Sequence, residues 1–205
     1  MTVTLSDAPT LRAAAPYTFF LPHPQELSAL EVGDLVKLIF EYDPPGKKWG
    51  AERMWVEITE KNGSKFVGRV DNEPVEEFIS VDDRVDFNSD NVIAIFRDDG
   101  DVGPAAEQPR EYWDLCLVDK CVLDGSEPVD YLYREASEAG VENDSGWRIR
   151  GRQGNASDDA MATRETSFVA IGAVLNKDDS WLALVDASIG SSYRRDFRTD
   201  TYIQV

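Results

Sequence analysis

Short runs in which apolar and polar residues alternate recur through the first half of the chain, each closed by a turn sequence. The clearest run is 53–59, where Met54, Val56 and Ile58 fall on one face of an extended strand and the residues between them fall on the other. The segment 61–64, Lys-Asn-Gly-Ser, follows with the composition of a hairpin turn. Short strands separated by turns in this way are typical of a small barrel or a strongly bent sheet.

The start of the chain carries weaker signals. Residues 1–22 show no sustained periodicity and are interpreted as a loose arm with a hydrophobic end at 17–21. Pro24 is favoured at the first position of a helix, so a short helix is predicted to run from there towards Leu30. The arm has no basic start and no continuous apolar core, which argues against a signal peptide.

Residues 98–110 separate the two halves of the chain. They are polar, rich in Gly, Pro and Ala, and show no apolar periodicity, which is typical of a linker. We therefore predict an α+β protein of two small domains, each built on a strongly bent, mostly antiparallel sheet with one or two short helices. The predicted domains are a β-rich, barrel-like domain of unknown function at 1–97 and an α+β domain at 111–205.

The second half predicts strands and one helix. Apolar residues between Met161 and Leu175 recur at helical spacing and predict a helix that begins after Ser157 or as late as Thr166. The predicted strands are 113–123, 129–134, 147–152 and 181–185, and the second of these could instead begin a helix.

The two cysteines indicate a reducing compartment. Cys116 and Cys121 lie in the predicted strand 113–123, and their odd offset places the side chains on opposite faces. They would be about 16 Å apart, which is too far for a disulfide. No apolar stretch reaches the roughly 18 residues that span a bilayer. We therefore predict a cytoplasmic protein without a membrane segment.

The chain is strongly acidic, with a formal net charge of −18 and an excess of acidic residues in both halves. Such a charge repels phosphate backbones, so we do not expect the protein to bind nucleic acid. It attracts a basic protein and speeds the encounter with it. Solubility alone is the alternative explanation for the acidity.

The residues needed for common catalytic and metal sites do not form a recognisable pattern. His23, the only histidine, lies between two prolines, and one histidine with two separated cysteines does not make a zinc set. Asp86, Asn88 and Asp90 have the spacing of a calcium loop, but its sixth position lacks Gly and its twelfth lacks Glu. The phosphate-binding glycine loops and the nucleophile elbow are missing from the sequence. We predict a protein that is not an enzyme and uses no cofactor or metal.

Two groups of arginines mark the second half. Arg148, Arg150 and Arg152 alternate along a predicted strand, which places their side chains on one face. A second group follows later in the chain: Arg194, Arg195 and Arg198. If the two segments adjoin, they form a patch that can bind a carboxylate or a phosphate, as in a small-molecule or anion sensor. Pairing of these arginines with the abundant Asp and Glu is the alternative.

Both halves of the chain resemble known bacterial families. In the second half, the segments CLVDKCVLDGSEPVDYLYRE, DSGWRIRG and WLALVDASIGSSYRRD occur in this order. They resemble the bacterial immunity protein 33 family, predicted immunity proteins of polymorphic toxin systems. The first half is similar to a family of unknown function through GDLVKLIFE, ERMWVEI, FVGRVDNEP and DDRVDF. The resemblance of the first half implies no activity.

The resemblance of the second half implies a protein-binding module that binds a toxin and neutralises it by occlusion. The net charge of −18 fits a basic toxin domain as its partner. The resemblance supplies no catalytic residues. Aromatic residues and arginine are favoured at binding hot spots, and the candidate binding residues are Tyr131, Tyr133, Arg134, Trp147, Arg148, Arg150 and Arg194. A role in the fold is the alternative for Trp147 and Tyr133. Two other functions stay open, the arginine-based sensor and an enzyme with a carboxylate or Tyr/Arg site, as does the oligomeric state.

Overall fold

A computed structural model describes residues 2–97 and 109–205. The predicted linker, 98–110, lies outside the described residues except for its last two positions, so the predicted domain boundaries stay predictions. The contacts divide the chain into two compact units, Met1–Ala14 with Phe19–Pro109 and Ala15–Thr18 with Arg110–Val205. Each unit has one sheet and a few short helices, which confirms the predicted α+β fold of two small sheet domains.

The first unit is an antiparallel sheet that curls almost into a barrel. Its strands are β1 (Thr2–Leu5), β2 (Leu35–Asp43), β3 (Ala51–Asn62), β4 (Lys65–Val70), β5 (Arg84–Asn88) and β6 (Ala94–Ile95). Its helices are α1 (Ala8–Ala14), α2 (Pro24–Ser28) and a 3-10 turn, Ser89–Asn91. The strands are ordered β1-β2-β3-β4-β5, and β6 also pairs with β2.

The core of the first unit follows the alternating pattern of its strands. Met54, Val56 and Ile58 share one face of β3, as predicted; they are fully buried and pack in one cluster with Leu38 and Phe40 of β2. Burial of side chains of this size contributes about 1.5–3 kcal/mol each. The alternation therefore determines which side of the curled sheet becomes the core.

The N-terminal residues do not form the loose arm predicted from the sequence. Strand β1 pairs with β2, with Val3 opposite Tyr42 and Leu5 opposite Phe40, and helix α1 follows it. Because β1 is only four residues long, its pattern is too short to recognise without the partner strand.

The second unit is built on a six-stranded mixed sheet. Its strands are β7 (Leu115–Asp119), β8 (Val129–Arg134), β9 (Asp144–Gly151), β10 (Thr166–Ala170), β11 (Ser192–Asp196) and β12 (Thr201–Gln204). Its helices are α3 (Lys120–Leu123), α4 (Asp158–Ala162), α5 (Ile171–Leu175) and a 3-10 turn, Leu182–Leu184. The order is β10-β7-β9-β8-β11-β12, and only the β7–β9 pair is parallel.

Three local predictions in the second half are wrong. The predicted helix is interrupted, because 166–170 forms β10 against β7 before α5 begins. The predicted strand 181–185 contains a 3-10 turn. The predicted strand 113–123 stops at Asp119, so Cys121 lies in α3.

The two thiols are free, as predicted, although Cys121 is not on the strand. Cys116 faces the core from β7, and burial raises the pKa of its thiol to about 12. Such a thiol stays protonated and unreactive at neutral pH.

One face of the second sheet carries the core of this unit. Leu132, Trp147 and Ile149 of β8 and β9 are fully buried in this core, and Val174 of α5 and Trp181 belong to the same cluster. Helices α3 and α5 therefore cover one face of the sheet, and alternate side chains of the same strands point to the opposite face.

A short segment from early in the chain completes the second unit. Asn176, at the end of α5, accepts a hydrogen bond from the Tyr17 N–H (2.9 Å) and donates one to Thr18 Oγ1 (2.6 Å). The Tyr17 ring also packs edge to face on Tyr112, with centroids 5.8 Å apart. A side chain at Gly172 would collide with the Tyr17 carbonyl, so a glycine is required for this close approach.

Every helix in the described part of the chain is too short or too polar to cross a bilayer.

We predict that Asn176→Ala destabilises the second unit by about 1–3 kcal/mol, because the substitution removes both hydrogen bonds to the segment 15–18. Urea unfolding followed by the fluorescence of buried Trp147 and Trp181 measures the change. The control is Lys177→Ala at the next, exposed position. Equal stability of the two variants would show that the hydrogen bonds between Asn176 and the segment 15–18 do not stabilise the second unit.

Candidate functional site

The strands of the second sheet separate the candidate binding residues by face. In β8, Leu132 faces the core, so Tyr131 and Tyr133 point to the opposite side. The register places Tyr131 opposite Arg150 and Tyr133 opposite Arg148. These four side chains therefore share the face that lies opposite the core, which we name the outer face.

Strand β11 extends the outer face. Arg194 lies opposite Tyr131, and its guanidinium packs over the Tyr131 ring at 5.4 Å from the centroid. On β12, Ile203 lies opposite Arg194 and is 57% exposed. Five of the seven candidate residues are thus brought together on the outer face by three neighbouring strands.

Towards the edge of the sheet formed by β7 and β10, the outer face is apolar. Leu117 of β7 lies beside Arg148, and Phe168 of β10 lies opposite Leu117. The Arg148 guanidinium packs over the Phe168 ring at 5.5 Å. Across the strands, the outer face therefore changes from apolar side chains on β10 and β7, through the tyrosines of β8, to the exposed Arg194 of β11.

Two candidate residues, Trp147 and Arg134, direct the polar groups of their side chains to the core side of the sheet. Trp147 is completely buried, its indole N–H donates to the Val185 carbonyl (3.0 Å), and it packs edge to face on Trp181. The Arg134 guanidinium donates to the carbonyls of Ser145 (3.0 Å) and Ala187 (2.7 Å). Both side chains hold the sheet to the segment around 185–187, because each satisfies carbonyl groups that would otherwise lack a donor.

Arg148 is held in place by two carboxylates. Its guanidinium makes two 2.9 Å hydrogen bonds to Asp144, whose side chain is fully buried, and a 2.6 Å bond from Nε to Glu135. Asp144 also accepts the backbone N–H groups of Glu138 and Gly146. The hydrogen bonds from Arg148 are the main cause that lowers the pKa of Asp144 to about 2.

A glycine is required between Asp144 and Arg148 for a steric reason. Gly146 has a φ of +80°, and a side chain there would collide with the Glu135 carbonyl oxygen. The same approach lets the Glu135 N–H donate to the Gly146 carbonyl at 2.9 Å. The glycine of the Ser-Gly-Trp-Arg segment therefore allows β9 to approach Glu135 closely at the end of β8. In the next two positions, Trp147 faces the core and Arg148 faces the outer side.

Arg150 is tied to a second buried carboxylate. Asp119, at the end of β7, is completely buried, lies 2.9 Å from Arg150 Nε and accepts the Gly151 N–H at 3.0 Å. Arg164 approaches the same carboxylate at 3.6 Å. Arg150 also donates to the Met161 carbonyl and so links α4 to the sheet.

The arginines therefore do not form the continuous basic patch that the sequence suggests as one alternative. Arg195 pairs with Asp178 (2.7 Å) and Arg198 with Asp196 (3.3 Å). Arg152 lies beyond the end of β9, away from the shared face, and packs on a phenylalanine ring. Within the described residues, Arg194 has a ring contact and no carboxylate partner.

Two clefts open on the outer face on either side of Tyr131. The first, the tyrosine cleft, has a volume of about 360 Å³ and is lined by Tyr131, Tyr133, Arg134, Glu135 and residues 189–192. The second, the arginine cleft, has a volume of about 270 Å³, and its charged lining residues are Asp130, Arg150, Asp158 and Arg194. Two aspartates balance two arginines in the arginine cleft, and Arg148 does not line it, so it is not the strongly basic pocket that an anion sensor requires.

The structure gives the single histidine a structural role. His23 Nδ1 accepts the Gln25 N–H at 3.2 Å and caps helix α2. Within residues 2–97 and 109–205, no group of three or more His, Cys, Asp or Glu side chains is arranged to hold a metal ion.

Comparison with known proteins found a family match in the second half of the chain. Residues 116–205 match the model of the Immunity protein Imm33 domain, which confirms the resemblance of this half to the immunity protein 33 family. The resemblance of the first half to a family of unknown function stays a prediction. No curated protein and no solved structure matches the chain significantly.

We predict that Asp144→Asn destabilises the protein by about 2 kcal/mol at pH 7, because the folded-state pKa of this carboxyl is about 2 against an ordinary value of 3.8. A lowered pKa stabilises the fold above about pH 4, and the stabilisation is lost as the pH falls towards 2. Urea unfolding at several pH values should show a flatter profile between pH 4 and 2 for the variant. Asp186→Asn, in an exposed pair with Arg110, is the control and should change little. Equal profiles for Asp144→Asn and wild type would contradict the prediction.

Proposed function

We propose that this protein is an immunity protein that binds a toxin through the outer face of its second unit and neutralises it by occlusion, without catalysis. The observation that carries the proposal is the outer face itself. It brings Tyr131, Tyr133, Arg150 and Arg194 together in a domain that matches the model of an immunity protein family.

The chemistry of the outer face suits binding to a protein. Tyrosine and arginine supply much of the binding energy at protein interfaces. Arg150 is already fixed by the buried carboxylate of Asp119 and its side chain is 28% exposed, whereas Arg148 is itself buried. A partner that contacts Arg150 therefore meets a side chain that loses little conformational entropy on binding, which favours affinity.

The charge of the chain supports a basic toxin domain as the partner. A net charge of −18 attracts a basic protein from a distance and raises the rate of association. The free thiols of Cys116 and Cys121 support a cytoplasmic location, since a reducing compartment keeps them unpaired.

We predict that the protein restores growth to bacteria that express a toxin encoded beside its gene. Arg194→Glu should weaken the purified complex about tenfold or more, because it reverses a charge in the interface. Ile203→Asp should weaken it by a similar factor, because it buries a carboxylate there. Lys177→Glu makes the same charge change at an exposed position after α5 and is the matched control.

Calorimetry of the purified complex and growth curves of the co-expressing strain provide the two measurements. Full protection by both outer-face variants, with folding intact, would exclude the outer face as the binding surface. Turnover of a substrate that stops when one polar side chain is truncated would exclude a purely non-covalent mechanism.

A further inference from the structure

The tyrosine cleft is bordered by a group of charges that do not balance. Arg148 carries one positive charge and lies between two carboxylates, Asp144 and Glu135, so the group has one net negative charge. Asp144 is fully buried, whereas the Glu135 side chain is 50% exposed. The uncompensated negative charge therefore lies at the surface, where Glu135 lines the cleft.

Arg134, the cation among the residues that line the tyrosine cleft, makes its hydrogen bonds on the core side of the sheet. Its guanidinium donates there to the carbonyls of Ser145 and Ala187. Arg194 lines the arginine cleft on the other side of Tyr131. The Glu135 carboxylate therefore lines the cleft, whereas the hydrogen bonds of Arg134 hold its guanidinium on the core side.

Two aromatic rings form a wall of the same cleft. The rings of Tyr131 and Tyr133 have centroids 5.7 Å apart and are tilted by 33° to each other. Ser192, the cross-strand neighbour of Tyr133 on β11, is small and leaves room beside the ring. The faces of aromatic rings attract guanidinium and ammonium groups, and a carboxylate next to them adds a hydrogen-bond acceptor.

We propose that the tyrosine cleft receives an arginine or lysine side chain of the toxin, with the cation against Tyr131 and Tyr133 and its N–H groups donating to Glu135. This rests on the proposed function and adds the chemistry of the contact. The balanced charges of the arginine cleft give no comparable preference for a cation.

Titration with N-acetyl-arginine amide and N-acetyl-citrulline amide tests this directly, because citrulline has the same shape without the charge. Nuclear magnetic resonance signals of the Tyr131 and Tyr133 rings report binding at the cleft. We expect the arginine probe to bind about three- to tenfold more tightly than the citrulline probe. Glu135→Gln should remove this preference, and Tyr133→Leu should weaken binding of the arginine probe.

The control is Glu165→Gln, which removes an equal charge from an exposed carboxylate that pairs with Lys120. Arg148 keeps its two bonds to Asp144 in Glu135→Gln, so this variant should fold. Equal affinity for the two probes, or an unchanged preference in Glu135→Gln, would overturn the cleft proposal. Neither result would alter the growth test, because that test uses Arg194 and Ile203, which do not line the tyrosine cleft.

A toxin complex gives the second arm of the experiment. Glu135→Gln should weaken the complex by a similar three- to tenfold factor, and Glu165→Gln should leave its affinity unchanged. If the toxin complex forms with equal affinity in Glu135→Gln, the toxin does not place a cation in the cleft and the proposal is wrong, although the immunity function stands.

Discussion

The buried ion pair between Asp144 and Arg148 is the constraint on which the second sheet depends. Asp144 is the first residue of β9, and it binds both the arginine four residues later and the backbone of the preceding turn. Charges are costly to bury, and such a pair is maintained only when its remaining hydrogen-bonding groups are satisfied. Four hydrogen bonds to Asp144 meet this condition and join the turn, the strand and the outer face in one unit.

This arrangement explains how an acidic protein can present arginines without a basic surface. The buried carboxylates of Asp119 and Asp144 neutralise Arg150 and Arg148, so these arginine side chains contribute shape and ring contacts to the outer face without a net positive charge. The long-range field of the molecule stays negative. Attraction of a basic partner and the detailed fit to it can therefore be provided by different residues.

The division of roles within one short segment is a consequence of strand geometry. Trp147 and Arg148 are adjacent, yet one is in the core and the other faces outward, because successive side chains of a strand point to opposite faces. Gly146 precedes this pair and permits the close approach of the strand to Glu135. A segment such as Ser-Gly-Trp-Arg can thus place adjacent side chains on opposite faces, where both Trp147 and Arg148 are buried and stabilise the fold.

Local patterns in the sequence determined the alternation of Met54, Val56 and Ile58 in the first core, the shared face of Arg148 and Arg150, and the resemblance of the second half. These features depend on residues close together in the chain, where a period of two is sufficient evidence for a strand. Only the tertiary structure decided that 166–170 is a strand, since its apolar residues suit a helix until β7 supplies hydrogen bonds along its edge. It also decided which arginines are neutralised, because Asp119 lies 31 residues from Arg150 in the chain and meets it only across the sheet.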